Sequence, residues 1–465
     1  MLQQESKDRC IVKKIRFSPE DREKNPYHYI SFEVPENTRC LELSYDYTNK
    51  EAVIDIGLFA PGSIDFLNAS VFRGWSGSSK KQLFVCENWA TPGYICGPLV
   101  PGYWHVILGL YKVPPEGCKV TIRIRFHEKM LERPWEPRIG KESKVSEKLN
   151  GQREKWMRGD LHVHTIHSDG DFHPLEIVEE AKKLGLNYIA LTDHNTISQN
   201  RYSGVLGGVI VLPGEEVTTY KGHMNVIGYK EWVDFRVTNH REILKLHNML
   251  KERNILHYVN HPKPQGPPWE WDHIEKIGGM EVWQGAWRYN NWHSLDIWHR
   301  LLSKGSRVLG LGGSDVHKFK EKNPLSRLGN PTTWVLGIPC PKGVLDGIKR
   351  GRVVVTETPR GPFINMHVKL RNRTAGIGDT IPAGTIKVYI TTWRTNNNLF
   401  LRLISGGKVI WVGTPSQKIV KITLNKSDMY LVADLISSEK GDPWKIAGRE
   451  IQLKAFTNPI YIAQD

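Results

Sequence analysis

The chain has 465 residues, 39% of them hydrophobic and 10% aromatic, which is too long for one hydrophobic core and implies two or three domains. Lys and Arg outnumber Asp and Glu by 64 to 49, a net charge of +15, so the surface either attracts anions such as phosphates, nucleic acid or acidic lipids or is simply solvated. No run of five like charges marks a nucleic-acid tail, no stretch of eighteen apolar residues exists to span a membrane, and the N-terminal "MLQQESKDRCIVKKIRFSPEDREK" lacks the apolar segment of a signal peptide. A soluble cytoplasmic protein is the expectation, with no membrane partner and nucleic acid disfavoured. The six cysteines are scattered singly, five of them (Cys10, Cys40, Cys86, Cys96, Cys118) before residue 120 and none in a C-x-x-C pair. They read as free, mostly buried thiols rather than a disulfide frame.

Residues 1–128 show short alternating runs, "YHYISFEV", "CLELSYDY", "AVIDIGLF", "WHVILGLYKV" and "VTIRIRF", separated by Pro/Gly/Asn-rich turns. This pattern predicts an antiparallel β-sandwich. Trp75, Trp89 and Trp104 within it either belong to its core, the commoner fate, or form a platform for a carbohydrate or polymer. Residues 129–157 lose the alternation, become charged and carry prolines, and read as a connector. From 158 to 355 strands alternate with helices. "DLHVHT", "YIALTD", "VIVLPGEEV", "HMNVIGY", "ILHYVNHP", "MEVWQG" and "RVLGLGGSDVH" are apolar strands, and "PLEIVEEAKKLGL", "NHREILKLHNMLKER" and "HSLDIWHRLLSKG" are amphipathic helices. Buried strands alternating with helices predict a parallel barrel or doubly wound sheet. Residues 356–465 return to strand patterns, with "NLFLRLI" and "VIWVGT" joined as a hairpin across Gly406 and Gly407.

Fourteen of the eighteen histidines lie between residues 160 and 317. The polar residues recur where predicted strands begin or end: His162 and His164, Asp193 and His194, Glu215 and Glu216, His223, His261, and Asp315 with His317. In a parallel barrel the carboxyl ends of the strands share one face, where active sites are built. Residues two apart on a strand point the same way, so His162 with His164, and Asp315 with His317, can each present two donors to one ion. Imidazole mixed with carboxylate suits zinc, manganese or iron, and the absence of cysteine from these clusters argues against a structural zinc site. A lone His-x-His is weak; its repetition at five strand ends is the stronger signal.

"DLHVHT-IHSDG", "ALTDHN", "PGEEVT", "GHMNVIG", "VNHP" and "GGSDVH", in this order and spacing, resemble the polymerase-and-histidinol-phosphatase (PHP) family of metallohydrolases over about residues 158–330. The closer likeness is to its carbaryl-hydrolase-like (CehA/McbA) branch, which the tail "AFTNPIYI" also resembles. The resemblance implies an α/β fold, a distorted (β/α)7 TIM-like barrel in mid-chain flanked by the N-terminal sandwich and a small C-terminal all-β domain. It implies two or three divalent ions (Mn, Zn or Fe) at the barrel's carboxyl face. His162, His164 and Asp315 would hold the first ion. Glu216, chosen over Glu215 because it directly precedes Val217 and Thr218, would bridge to a second held by His223 and His261. Asp169, His194 and His317 would hold the third. Asp193 points away from His194 on a continuing strand and either orients a ligand imidazole or carries a proton. His167 either approaches the substrate or is a solvated loop residue, and His173 belongs to the helix start.

No G-x-S-x-G elbow or strand-end cysteine offers a separate nucleophile, so hydrolysis by metal-bound hydroxide is the economical mechanism. A small phosphate ester, mono- or diester, is the leading substrate class. Hydrolysis of an aryl ester, carbamate or amide is the alternative, with Trp283, Trp287, Tyr289, Trp292 and Trp298 either walling an aryl pocket or packing in the core. Arg327 and, less so, Lys318 are candidates to hold a substrate phosphate. A binding module with a degenerate barrel is the non-enzyme alternative.

Overall fold

The structure, a computed structural model, describes residues 10–133, 153–264, 266–321, 326–437 and 441–464; residues 134–152, most of the expected connector, lie outside the described residues. The first region forms β1 (Cys10–Phe17), α1 (Pro19–Lys24), β2 (Tyr27–Val34), β3 (Cys40–Tyr47), β4 (Val53–Phe59), β5 (Phe72–Gly77), β6 (Gln82–Cys86), β7 (Gly102–Lys112) and β8 (Cys118–His127). They make two antiparallel four-stranded sheets, β1-β8-β3-β6 and β2-β7-β4-β5. Alternate residues such as Val120, Ile122, Ile124 and Phe126 of β8 turn inward to meet Leu41 and Leu43 of β3 and Val106 and Leu108 of β7, as the period of two requires.

Two expectations for this region are corrected. Cys40 and Cys86 form a disulfide with their Cα atoms 4.1 Å apart, because β3 and β6 pair antiparallel with these two residues directly opposite. The Cys86 N–H bonds to the Trp89 carbonyl instead of across the ladder, so this is the non-hydrogen-bonded type of pair, in which strands approach closest. Of the four free cysteines only Cys118 is buried. The tryptophans offer no platform: Trp75, Trp89 and Trp104 are 3%, 4% and 0% exposed. Trp104 fills the sandwich core, Trp89 packs on the disulfide, and Trp75 packs on the next layer.

That next layer begins with β9 (Lys155–Val163), α2 (Pro174–Leu184), β10 (Tyr188–Leu191), β11 (Gly204–Leu206), β12 (Val209–Thr219) and β13 (Gly222–Ile227). It continues with α3 (His240–Glu252), β14 (Leu256–Val259), β15 (Gly279–Gln284), α4 (Asn291–Ser303) and β16 (Leu309–Gly313). The strands run β16-β15-β14-β13-β12-β10-β9 across one sheet. This sheet curls until Val316, just beyond β16, meets Val163 of β9 in a parallel bridge, with the Asp315 N–H donating to the His162 carbonyl at 2.8 Å. Strict β/α alternation is not observed. β12 pairs antiparallel with both β10's far neighbour β13 and β11, β13 pairs antiparallel with β14, and only α2, α3 and α4 intervene between these strands among the described residues. Helix α2 starts as its sequence directs. The His173 Nδ1 accepts from the Leu175 N–H, Glu176 accepts from the His173 N–H, Pro174 opens the first turn, and Gly185 ends the helix at φ +71°.

The sheet does not stop at residue 355. β17 (Thr332–Gly337) pairs with β9, and after α5 (Pro341–Lys349) comes β18 (Val353–Thr356). Strands β19 (Phe363–Lys369), β20 (Thr374–Gly376), β22 (Gly384–Trp393) and β25 (Ile419–Leu424) form a separate sheet, with the short β21 (Thr380–Ile381) between. β23 (Leu399–Ser405), β24 (Lys408–Gly413), β26 (Tyr430–Ser437), β27 (Leu453–Thr457) and β28 (Ile460–Ile462) extend the large one through β18-β27-β26-β23-β24. The expected hairpin is present, with Gly406 and Gly407 at φ +54° and +76°, the signs a two-residue type I′ turn needs. The molecule is thus mixed α/β, rich in strands. The sandwich sheet β2-β7-β4-β5 lays Tyr27, Phe59, Trp75 and Ile107 against Val217, Met224, Phe235 and Leu246 of the central layer.

Candidate metal centre

The carboxyl ends of β9, β10, β12, β14 and β16 and the start of β13 converge on one buried carboxylate, Glu216. Its Oε2 lies 3.4 Å from His162 Nε2, 3.3 Å from His164 Nε2 and 2.9 Å from His194 Nδ1. Its Oε1 lies 3.1 Å from His223 Nδ1 and 3.4 Å from His261 Nε2. Asp315 Oδ1 reaches His162 at 3.2 Å and His164 at 3.0 Å, and Asp169 lies 3.7 Å from His194 and 3.3 Å from His317. Three overlapping groups result, each able to surround one ion: His162, His164, Glu216 and Asp315; His164, Asp169, His194 and His317; and His194, Glu216 and His223. His261 completes no such group, although it faces Glu216. All nine residues singled out as candidate ligands are therefore brought together. His261 and Asp315 hold φ values of +30° and +53°, a costly conformation for residues with a Cβ, of the kind that gathers at functional sites.

The donor chemistry fits divalent cations. His162 Nδ1–H donates to Glu281 Oε1 at 2.8 Å, His317 Nδ1–H to the Asp315 carbonyl at 3.0 Å, and His194 Nδ1–H to Thr218 Oγ1 at 2.6 Å. Each thereby keeps its Nε2 lone pair for the centre. His162 Nε2 and His164 Nε2 face each other at 3.0 Å, and Glu216 Oε2 is fully buried without a hydrogen-bond donor. Nitrogen and oxygen lone pairs so placed repel unless a cation lies among them. Without an ion, protons on the imidazoles meet the same demand. Burial disfavours charge on His162, yet Glu281, Asp315 and Glu216 outweigh it and hold the ring well above its ordinary range. Burial likewise opposes Glu216 ionisation, but His162, His194 and His223 pull its carboxyl well below the usual range. Burial opposes charge on His164 too, but the Asp315 and Glu216 carboxylates bring it up to about 10, whereas burial prevails at His223, which falls to about 4.

Several supporting residues were not found in the sequence. Glu281 grips both His162 and, through Oε2 at 3.0 Å, the His261 N–H. Asn260 donates to Glu216 Oε1 at 2.7 Å, and Gln284 to Asp315 Oδ2 at 2.9 Å. A glutamate inside the apolar run "MEVWQG" was the one available signal for Glu281. Gly313 leaves no room for a side chain there, since a Cβ would lie 2.4 Å from that of His162 and 2.7 Å from Glu281 Oε1. Glu215 points to the opposite face of β12, where Oε2 accepts from the Val233 N–H at 2.9 Å.

Asp193 is fully buried and accepts from the Thr165 N–H and Oγ1–H and from the Ser168 N–H and Oγ–H, all within 3.0 Å. It thus ties the turn between His164 and Asp169. His167 is not a solvated loop residue, because the sandwich covers it. It is 2% exposed, its Nδ1 pairs with Ser198 Oγ at 2.7 Å, and its Nε2 is buried without a partner. Burial, with Arg201 and Lys80 nearby, holds the ring well below its ordinary value. His173 caps α2, as expected. Arg327 is exposed and stands apart from the cluster, lining a 650 Å³ cavity beside Val316, Lys318 and Arg360. Lys318 donates to the Asp169 carbonyl at 3.3 Å. Lys80, from the loop between β5 and β6 of the sandwich, donates to the Ser168 carbonyl at 2.8 Å, and burial lowers its ammonium to about 8. Lys263 is buried behind Asp315, donating to Asn291 Oδ1 at 2.9 Å. Of the five residues that could wall an aryl pocket or pack in the core, Trp283, Trp287 and Trp298 are at most 5% exposed and pack together with Leu295 and Phe456. Trp292 packs half-buried against the same core, and Tyr289 is half-buried with Lys263 Nζ 5.5 Å from its ring centroid.

Parts of the chain are similar to known proteins. The chain is 27% identical over 130 residues to a 5′-3′ exoribonuclease of Haemophilus influenzae, covering 26% of this chain and 46% of that protein, so it spans under half of that relative. It is 31% identical over 120 residues to an uncharacterised protein of Methanocaldococcus jannaschii, covering 23% of this chain and 68% of that one. Two solved structures, both described by inference as metal-dependent phosphoesterases, are similar. One, a two-domain protein of Bacteroides vulgatus with a PHP-like part, has 16% identity and a TM-score of 0.37, covering 71% of this chain and 100% of that one. The other, from Bifidobacterium adolescentis, has 19% identity and a TM-score of 0.26, covering 36% and 91%. Residues 160–302 match the PHP domain model, so the chain carries a PHP domain.

Proposed function

We propose that this chain is a metal-dependent phosphoesterase of the carbaryl-hydrolase-like branch, acting on a small phosphate mono- or diester with two or three Mn, Zn or Fe ions. The observation that carries the proposal is the two-sided environment of Glu216, with His162, His164 and His194 at one oxygen and His223 and His261 at the other. A carboxylate in that position suits bridging two ions. His162, His164 and Asp315 would hold one ion, Glu216, His223 and His261 a second, and Asp169, His194 and His317 a third. The curled sheet from β9 to β16, with α2, α3 and α4 between its strands, supports the barrel part of this reading, although it lacks the strict alternation of a (β/α)7 barrel. Ions held there would supply Lewis-acid activation of water and neutralise charge on the ester oxygens.

The chain's own residues supply the rest. Glu281, Thr218 and the Asp315 carbonyl fix the ligand imidazoles, and Asp193 fixes the turn carrying Asp169. Lys80 and Lys318 flank that more open edge, where they would meet a phosphate oxygen. His167, whose Nε2 is buried without a hydrogen-bond partner, would be the proton carrier, and Arg327 would contact the substrate only through the neighbouring cavity. The aryl-ester reading loses most of its support because Trp283, Trp287 and Trp298 are core. The exoribonuclease relative favours including a phosphodiester among the substrates. Metal analysis after growth with manganese or zinc tests the proposal first, and fewer than one ion per chain sinks it. Parallel assays of an aryl phosphate, a bis-aryl phosphate and an aryl carbamate follow, with His162→Ala as control. Phosphate-ester cleavage lost in the variant is the expected result, and carbamate cleavage alone would replace it with the second reading.

A further inference from the structure

At the opposite ends of β14, β15 and β16 from the metal centre, two cavities of 380 and 340 Å³ adjoin, sharing Gly278, Arg307, Leu309 and Lys349 as lining. Strands of this length put roughly 20 Å between this place and Glu216. The lining is strongly cationic. Lys251 and Lys276 stand at the first cavity, Arg307 and Lys349 at the junction, and Arg350 and Arg352 at the second. No carboxylate lines the first cavity; Asp379 in the second already accepts from the Gly376 N–H at 2.8 Å. Arg352 pairs with Glu154 at 2.9 Å and Arg307 donates to Thr380 Oγ1 at 3.0 Å, whereas Lys251 and Lys276 have no ion-pair partner among the described residues.

The first cavity also contains a polar group with an open valence. His247 and His257 are 4% and 8% exposed. His257 Nδ1–H donates to the Ile255 carbonyl at 2.8 Å, which leaves its Nε2 as acceptor for His247 Nδ1–H, also at 2.8 Å. The relay fixes both tautomers and leaves His247 Nε2, in a ring lining the cavity, without a partner among the described residues. Such a nitrogen accepts from a ligand hydroxyl or, on protonation, donates to an anionic oxygen. A row of cations across two joined cavities matches a ligand whose charges are strung along a chain, and a single carboxylate or phosphate would leave most of them unused.

We propose that this pair of cavities is a second ligand site, separate from the metal centre, that takes a chain of linked phosphates such as a nucleoside triphosphate or a short condensed phosphate. The test is isothermal titration calorimetry of the full chain, freed of metal by dialysis, with tripolyphosphate, ATP and inorganic phosphate as probes at physiological salt. Saturable one-to-one binding of tripolyphosphate is expected, at least about tenfold tighter than inorganic phosphate and weakened about tenfold or more in Lys251→Ala/Lys276→Ala. Equal binding of ATP would assign recognition to the phosphate chain alone, and tighter binding of ATP would favour a nucleotide; both support the site. The exposed pair Lys13 and Lys14, on the far sandwich, supplies the control. No saturable binding, an unchanged affinity in the Lys251/Lys276 variant, or an equal loss in Lys13→Ala/Lys14→Ala would overturn the proposal. Because the experiment uses no bound metal and no turnover, its outcome is independent of the phosphoesterase reading.

Discussion

Glu281 illustrates how much of the centre depends on residues that touch no ion. Its two oxygens hold the His162 ring and the His261 backbone, so Glu281→Gln should keep the shape and remove the charge. Chelator competition should then show metal affinity reduced between about 10- and 100-fold with little change in the melting temperature. Asp193 answers to a different measurement. Removing a buried acceptor of four donors strands those donors, so Asp193→Ala should destabilise the protein by about 2 kcal/mol or more in urea unfolding. Asp193→Asn should leave the shape of the pH–rate profile intact if the residue positions the turn, and should remove one limb if it relays a proton. His162, His164, His194, Asp315 and His317 were legible because imidazole and carboxylate at strand ends stand out against apolar runs. Lys80 was not, since nothing local distinguishes one lysine of a turn from another, and its role depends on a sandwich loop meeting a turn some 88 residues away.

At the scale of elements, the contact between β4 and the β12–β13 hairpin has a pH signature. Tyr220 donates its hydroxyl to Asp55 Oδ2 at 2.7 Å. Burial raises Asp55 from its ordinary 3.8 to about 7, although the Tyr220 bond and His194 act against the rise. Between about pH 4 and pH 7 the folded chain therefore keeps a proton that the unfolded chain has released. The Asp55 contribution to stability therefore falls across that window as pH rises and levels off above it, opposite in sign to that of buried histidines held below their ordinary value, such as His167 and His223. Urea midpoints of the metal-free protein from pH 4.5 to 7.5 should therefore change more positively with rising pH in Asp55→Asn than in the wild type; identical pH dependences would remove Asp55 as a contributor. Most strands and helices were legible from period and turn residues, including the Gly406–Gly407 hairpin and the helix opening at Pro174. The Cys40–Cys86 disulfide was not, because its partners meet across a sequence separation of 46 residues, and pairing at that range is a property of sheet order, which no local pattern encodes. The regular barrel alternation failed for a related reason: "PGEEVTTYKGHMNVIG" contains its own tight turn, and a hairpin forms where a crossover was expected.

Across the whole molecule the central sheet is continuous from the metal-bearing strands into the last ones. β18 pairs with β27 through Val354, Val355 and Thr356, and the Asn458 side chain both accepts from the Gly310 N–H at 2.8 Å and donates to its carbonyl at 2.6 Å, at the start of β16. A chain cut after residue 357 would expose this edge and the fully buried Val353, Val354 and Val355. It should therefore be recovered as aggregate, or show no cooperative thermal transition, where the full chain shows one. The sequence spoke to three regions of different character but not to the sharing of one sheet between two of them, since strands a hundred residues apart carry no mark of being neighbours. During synthesis the ligand-bearing segments leave the ribosome more than a hundred residues ahead of β27 and Asn458. The nascent chain must therefore hold its histidines beside an unfinished sheet edge until its final strands arrive. On the proposed metal reading, an ion that stabilises the folded sheet would be captured only after β27 has paired, so its timing would be set by residues that hold no ion.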